Sequence, residues 1–112
     1  MTSNEPIFEI ADLQINPTDA ATFEAAVGQG AAHFRSARGC LSFELQRSIE
    51  HPGQYRLLVG WSSVDAHMVD FRNSAGYRAW RGLVGHFFTV PPVVQHAVQV
   101  ISCVWEPGIT GP

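Results

Sequence analysis

Charge is sparse in this chain. Charged residues make up 15% of the 112-residue sequence, the formal net charge is -3 at pH 7, and no basic stripe is present. Nucleic acid is therefore not expected as a partner. Long hydrophobic runs are missing as well: no apolar stretch approaches a membrane span, and the opening MTSNEPIFEI lacks the basic start and apolar run of a signal peptide. A cytoplasmic protein without membrane contact is expected. Cysteine is limited to Cys40 and Cys103, far apart and outside any metal-ligand spacing, and both are expected to be small buried strand residues. There is no nucleophile motif, glycine-rich dinucleotide loop, phosphate loop or Cys/His cluster at metal spacing. Neither a metal nor a cofactor is expected.

What the chain does contain is apolar surface, 46% of its residues. Residues 1–112 form one expected domain with its core at about 6–105, large enough for a single core. An open ligand cavity would take a sizeable share of so small a domain, so a deep pocket calls for a second subunit.

IFEIADLQI (7–15) has strand composition and stops at Asn16-Pro17, where Asn16 reads as a helix N-cap with Pro17 at the first helical position and Asp19 three residues on. The following helix places Phe23, Val27, Gly30 and Phe34 on one face and ends near Gly39. CLSFELQRS and YRLLVGW form a hairpin around Pro52-Gly53. Ser62, with Asp65, is expected to cap a short helix, and Ser74 to start a second segment running through Trp80 to about Phe87. VVQHAVQVISCVW reads as one long final strand.

The order βαββαβ is ferredoxin-like, an α+β class with an antiparallel sheet and a split second helix. Its usual strand order, 4-1-3-2, puts Cys40 and Cys103 on opposite edges, roughly 14 Å apart at about 4.7 Å per strand. A disulfide needs Cα atoms within about 7 Å, so both thiols are expected to be free. The first and last strands carry apolar residues on both faces. An identical sheet is the expected cover for the second face, giving a homodimer.

Several residues can be either packing or chemistry. His67 shares a helical face with Val64, Met68 and Phe71 and so points inward, while His96 alternates with Val94 and Val98 on the last strand. His33 sits beside the small residues of the first helix. His86 and His51 are expected at the surface. Tyr77, Trp80 and Phe87 follow helical spacing, which suits either a core stripe or a flat aromatic wall. Trp61 is expected to be structural, and Arg72 and Asn73 lie at the helix break, as a cap or as anion donors.

ARGCLSFELQRS, PGQYRLLVGWSSVDAH, FRNSAGYRAW and PPVVQHAVQV resemble the antibiotic biosynthesis monooxygenase family. The resemblance spans roughly residues 6–102 and rests most on Gly39-Cys40, on Trp61 with the helix after it, and on the Pro-Pro stretch leading to His96. It implies a dimeric α/β barrel. It also implies a cofactor-independent monooxygenase using dioxygen to oxidise an aromatic, phenolic or polyketide-like molecule to a quinone. Enzymatic activity thus follows from the resemblance and from no motif. In this scheme His67 or His96 is the base, and His33, Phe71, Arg72, Asn73, Tyr77 and Trp80 bind substrate. The alternatives are a non-catalytic small-molecule-binding barrel, another reaction such as isomerisation or decarboxylation, and a haem-binding or haem-degrading member. The haem branch uses an asparagine on the first strand, where this chain has Glu9, Asp12 and Gln14.

Overall fold

A computed structural model describes residues 5–107. The N-terminal residues 1–4 and Gly108 of the terminal Glu-Pro-Gly lie outside the described residues. The elements are β1 (Ile7–Gln14), α1 (Ala20–Arg35), β2 (Cys40–Arg47), β3 (Gln54–Trp61), α2 (Ala75–Val84) and β4 (Val93–Ala97), with a π-helical turn, Ala66–Phe71, before α2. The four strands form one antiparallel sheet ordered β2-β3-β1-β4, the ferredoxin-like order expected from the sequence.

Local chemistry explains most of the boundaries. The Asn16 side chain accepts from Thr18 N at 3.0 Å, and Pro17 opens a 3₁₀ turn, Pro17–Asp19, that leads into α1. The buried residues of α1 are Phe23, Val27, Gly30 and Phe34, the stripe that 3.6-residue periodicity predicts. Gly39 at φ 86 ends the α1–β2 connection, and Gly53 at φ 87 closes the β2–β3 hairpin, positions where a Cβ is disfavoured. Ser74 Oγ accepts from Tyr77 N at 3.1 Å and starts α2. A 3₁₀ turn, Gly85–Phe87, follows α2.

Strand alternation sorts the side chains into two faces. Ile7, Glu9, Ala11 and Leu13 of β1 lie under the helices, opposite Trp61, Val59, Leu57 and Tyr55 of β3. The other face carries Phe8, Ile10 and Leu58 at its centre, all half-buried, and Asp12 paired with Arg56 at 3.2 Å. Leu41 is an extra residue in β2, between Cys40 and Ser42, and is exposed.

Three expectations need correction. The last strand is five residues long: beyond Ala97 residues 98–107 have no strand partner, and Val100, Ile101, Val104 and Trp105 are exposed. A segment of strand composition pairs only where an edge is available, and the β1 register opposite β4 ends at Phe8. The cysteines are not both buried strand residues, since Cys40 is half-buried at the start of β2 while Cys103 is exposed outside any strand; both are free thiols, as expected. The short helix is capped by Ser63 rather than Ser62, its Oγ accepting from Ala66 N at 3.1 Å.

Candidate active site

The π-helical turn determines which side chains face the sheet. Arg72 N donates to His67 O at 3.1 Å, a bond five residues long that winds the chain more loosely than an α-helix. Ala66, His67 and Phe71 therefore turn inward. Met68, expected on the inner face with His67, is exposed and Val64 is half-buried.

His67 is 2% exposed. Its ring stacks on Trp61, with centroids 5.3 Å apart and planes at 14°. Both nitrogens have neighbours: Nδ1 lies 2.9 Å from His96 Nε2, and Nε2 lies 3.3 Å from Glu9 Oε1. The same Glu9 oxygen accepts from Trp61 Nε1 at 3.0 Å. Glu9 and His96 are directly opposed in the β1–β4 register, which explains how residues so far apart in sequence reach one another. His96 is exposed because β4 is the sheet edge that the helices leave uncovered.

Burial dominates the electrostatics. It pushes the His67 imidazole down to about 4, with the charges of His96 and Arg72 acting in the same direction, so His67 is neutral at pH 7. Burial also raises the Glu9 carboxyl, opposed by the Trp61 hydrogen bond and the nearby Arg72 charge. The short Glu9–His67 distance is consequently a contact between a carboxyl group and a neutral imidazole, not an ion pair. Arg72 stands with its guanidinium 5.6 Å from the Tyr77 ring centroid. Its Nε is buried and has no hydrogen-bond partner among the described residues.

Glu9, His67 and Arg72 border a cavity of about 50 Å³ whose wall also includes Phe71, Tyr77 and Trp80. That space holds a water or two, well below the roughly 300–1,000 Å³ of small-molecule pockets. A larger substrate must displace part of the wall or approach from the β4 edge, where His96 stands. A groove of about 470 Å³ lies on the other side, along the β2 edge by Arg35, Cys40 and Leu41. The Cys40 thiol in it is pushed up by burial and is the less reactive for it.

Five of the eight candidate residues line the small cavity, His67, Phe71, Arg72, Tyr77 and Trp80, and a sixth, His96, joins them through its contact with His67. Two do not. His33 lines a separate surface hollow with Asp70 and Gly76, because its position on α1 turns it toward the α2 start and away from the sheet. Asn73 is exposed, and its Nδ2 donates to Val69 O at 2.7 Å, which closes the end of the π-helical turn. Glu9 was not a candidate from sequence, although its alternation with Ile7, Ala11 and Leu13 places it inward. Trp61, expected to be structural, also fixes Glu9 and His67. Among the described residues no three His, Cys, Asp or Glu side chains form a metal-ligand group; Glu9, His67 and His96 form a chain and do not converge on one point.

The chain belongs to the antibiotic biosynthesis monooxygenase family, whose sequence profile matches residues 6–83. It is 33% identical over 92 residues to YczJ of Bacillus subtilis, an uncharacterised protein, covering 82% of this chain and 97% of that one. A solved structure from Bordetella bronchiseptica, named for the same family, is 48% identical with a TM-score of 0.84, covering 87% of this chain and 99% of the other. SnoaB, a cofactor-independent oxygenase from Streptomyces nogalater, shares the fold at 16% identity and a TM-score of 0.68, covering 89% of this chain and 96% of its own. The family match stops before β4, so His96 lies beyond it. No helix among the described residues is long and apolar enough to cross a membrane.

Proposed function

We propose that this protein is a cofactor-independent monooxygenase that oxidises an aromatic, phenolic or polyketide-like molecule with dioxygen. The observation that carries this reading is the His67–His96 pair, one ring buried and the other exposed, next to an arginine whose Nε has no partner among the described residues. A neutral histidine accepts a phenolic or enolic proton. The Arg72 guanidinium then holds the anion that forms, and the anion gives an electron to dioxygen. Radical recombination forms a peroxide at the activated carbon. Loss of water from that peroxide converts CH₂ to C=O, one oxygen atom entering the product and the other leaving as water with the two hydrogens. Phe71, Tyr77 and Trp80 provide the aromatic wall.

The same reading includes a homodimer. The half-buried Phe8, Ile10 and Leu58 on the open sheet face, together with the exposed apolar residues 98–105, are surface that a second copy would cover. Oxygen uptake by purified protein, measured against a panel of anthrones, naphthols and polyphenols, tests the reaction. Uptake that disappears in Arg72→Leu supports it. Tight binding of panel members without oxygen uptake would replace it with a non-catalytic binding role, and neither uptake nor binding across the panel would remove both.

A further inference from the structure

We propose that Glu9 is a positioning residue that acts through His67 to keep His96 in the tautomer whose Nδ1 is the proton acceptor, so that His96, not His67, takes the substrate proton. This rests on the oxygenase reading for the identity of the substrate, but the tautomer chain stands on geometry alone.

His67 has no ring nitrogen left for a substrate. Nε2 faces Glu9 Oε1 at 3.3 Å, at the long edge of hydrogen-bonding range, and Nδ1 faces His96 Nε2 at 2.9 Å. The direction of the chain is set at its buried end. The indole N–H of Trp61 is a donor only, and it points at the same Glu9 oxygen from 3.0 Å. That oxygen is therefore an acceptor, the role a carboxylate fills for both neighbours. His67 Nε2 must then carry its ring's single hydrogen, leaving a lone pair on Nδ1. That lone pair receives the Nε2 hydrogen of His96. The remaining nitrogen of His96, Nδ1, keeps a free lone pair on the exposed ring.

Apart from α1, which packs there through Phe34, each element around the chain contributes a polar or titratable group. Glu9 comes from β1, Cys40 from β2, Trp61 from β3, Arg72 from the end of the π-helical turn, Tyr77 and Arg81 from α2, and His96 from β4. Of these, the Glu9 oxygen is the acceptor at the end of the chain. The reaction needs no bond within the chain to break: the substrate proton moves to His96 Nδ1 while both Nε2 hydrogens stay where they are. The new imidazolium is held by the His67 lone pair, with the Glu9 charge one ring further on. The opposite tautomer puts a hydrogen on His96 Nδ1 and abolishes its basicity toward substrate. The same logic operates in the Ser-His-Asp triad, where the carboxylate orients the histidine.

The test is ¹⁵N NMR of histidine-labelled full-length protein near neutral pH without substrate, since ring nitrogen shifts distinguish N–H from bare nitrogen. The expected result is Nε2–H and bare Nδ1 for both His67 and His96. In Glu9→Gln the amide can donate to His67 Nε2, so the Nδ1–H forms of both rings should appear, and turnover of any panel substrate should fall about 10²- to 10⁴-fold. Wild-type protein with Nδ1–H on both rings would mean that a protonated Glu9 donates into the chain, and would overturn the proposal whether or not the variant folds; unchanged tautomers in folded Glu9→Gln would do the same. The expected tautomers in a protein that consumes no oxygen would overturn the oxygenase reading alone.

Discussion

His67 Nδ1 and His96 Nε2 approach to 2.9 Å, joining a buried imidazole on the π-helical turn to an exposed one on the edge strand. The two rings differ in what each can lose. His67→Ala should remove a stacked, buried ring and lower stability by about 1–3 kcal/mol, from lost burial and hydrogen bonding. His96→Ala should cost about 1 kcal/mol, because it leaves the buried Nδ1 of His67 without its partner, and reduce turnover about 10²- to 10⁴-fold. Urea unfolding and oxygen uptake, measured on both variants, separate the effects. A folded His96→Ala protein with wild-type turnover would remove this histidine from the chemistry.

The buried His67 should also make the protein sensitive to acid. Its folded value, pushed down to about 4 from 6.5, means that the native state binds this proton less readily than the unfolded chain. The corresponding stability is fully present above about 6.5 and disappears as pH falls through about 4; a shift of this size is worth roughly 3 kcal/mol. Glu9 acts in the opposite sense, because its carboxyl is raised above 4.5: its contribution is present below that value and is lost as pH rises through its folded value. Urea midpoints taken between pH 7 and 4 should therefore fall more steeply in the wild type than in His67→Gln. Parallel slopes would show that His67 titrates normally.

Much of this arrangement is legible in the sequence, and the failures have specific causes. The α1 stripe, the Asn16-Pro17 start, the Ser74 cap and the strand order follow from local rules that tertiary packing reinforces. The π-helical turn does not follow, because a wheel drawn at the α-helical angle assigns Met68 to the inside, and no residue type between 64 and 71 announces a looser winding. Glu9 reads from the sequence as a charged strand residue, though the apolar residues two places either side mark its face. β4 is shorter than its composition predicts, because strand propensity is a property of a segment, whereas pairing also requires an available neighbour.

Gly30 should be intolerant of even one added methyl group. A Cβ there would lie 2.5 Å from the Trp80 ring, and Trp80 is itself wedged against Phe34 at a centroid distance of 4.8 Å. Gly30→Ala raises helix propensity by about 1 kcal/mol, yet overpacking typically costs about 1–3 kcal/mol. A lower thermal midpoint with altered Trp80 fluorescence is expected. A stabilised variant would show that Trp80 moves freely.

In solution the protein should have twice the 12.3 kDa mass of its chain. Ile10 is half-buried at the centre of the open sheet face, with Leu58 directly opposite it on β3. Ile10→Lys should therefore shift light scattering toward the monomer mass, since an unpaired charge in an apolar contact is strongly unfavourable. A wild type that scatters as a monomer at micromolar concentration would contradict the dimer directly.

Arg72 provides the contrast between stability and activity. Its Nε is buried without a partner among the described residues, an arrangement that costs about 1–3 kcal/mol when the group remains unsatisfied. Replacing it by leucine removes that cost, but it also removes the positive charge acting on Glu9 and His67. The Glu9 carboxyl should then rise further, and the His67 imidazole should recover toward its ordinary value because a like charge has left. Arg72→Leu is thus expected to unfold within about 1 kcal/mol of the wild type, the two effects opposing each other, while losing about 10²- to 10³-fold in turnover, the usual effect of deleting one donor to a developing anion. Arg72→Lys keeps the charge but not the planar guanidinium, and should restore the electrostatics of Glu9 and His67 more fully than the rate. If both variants turned over like the wild type, the anion would have to be held by Tyr77 or Arg81, the remaining polar groups on that wall of the cavity.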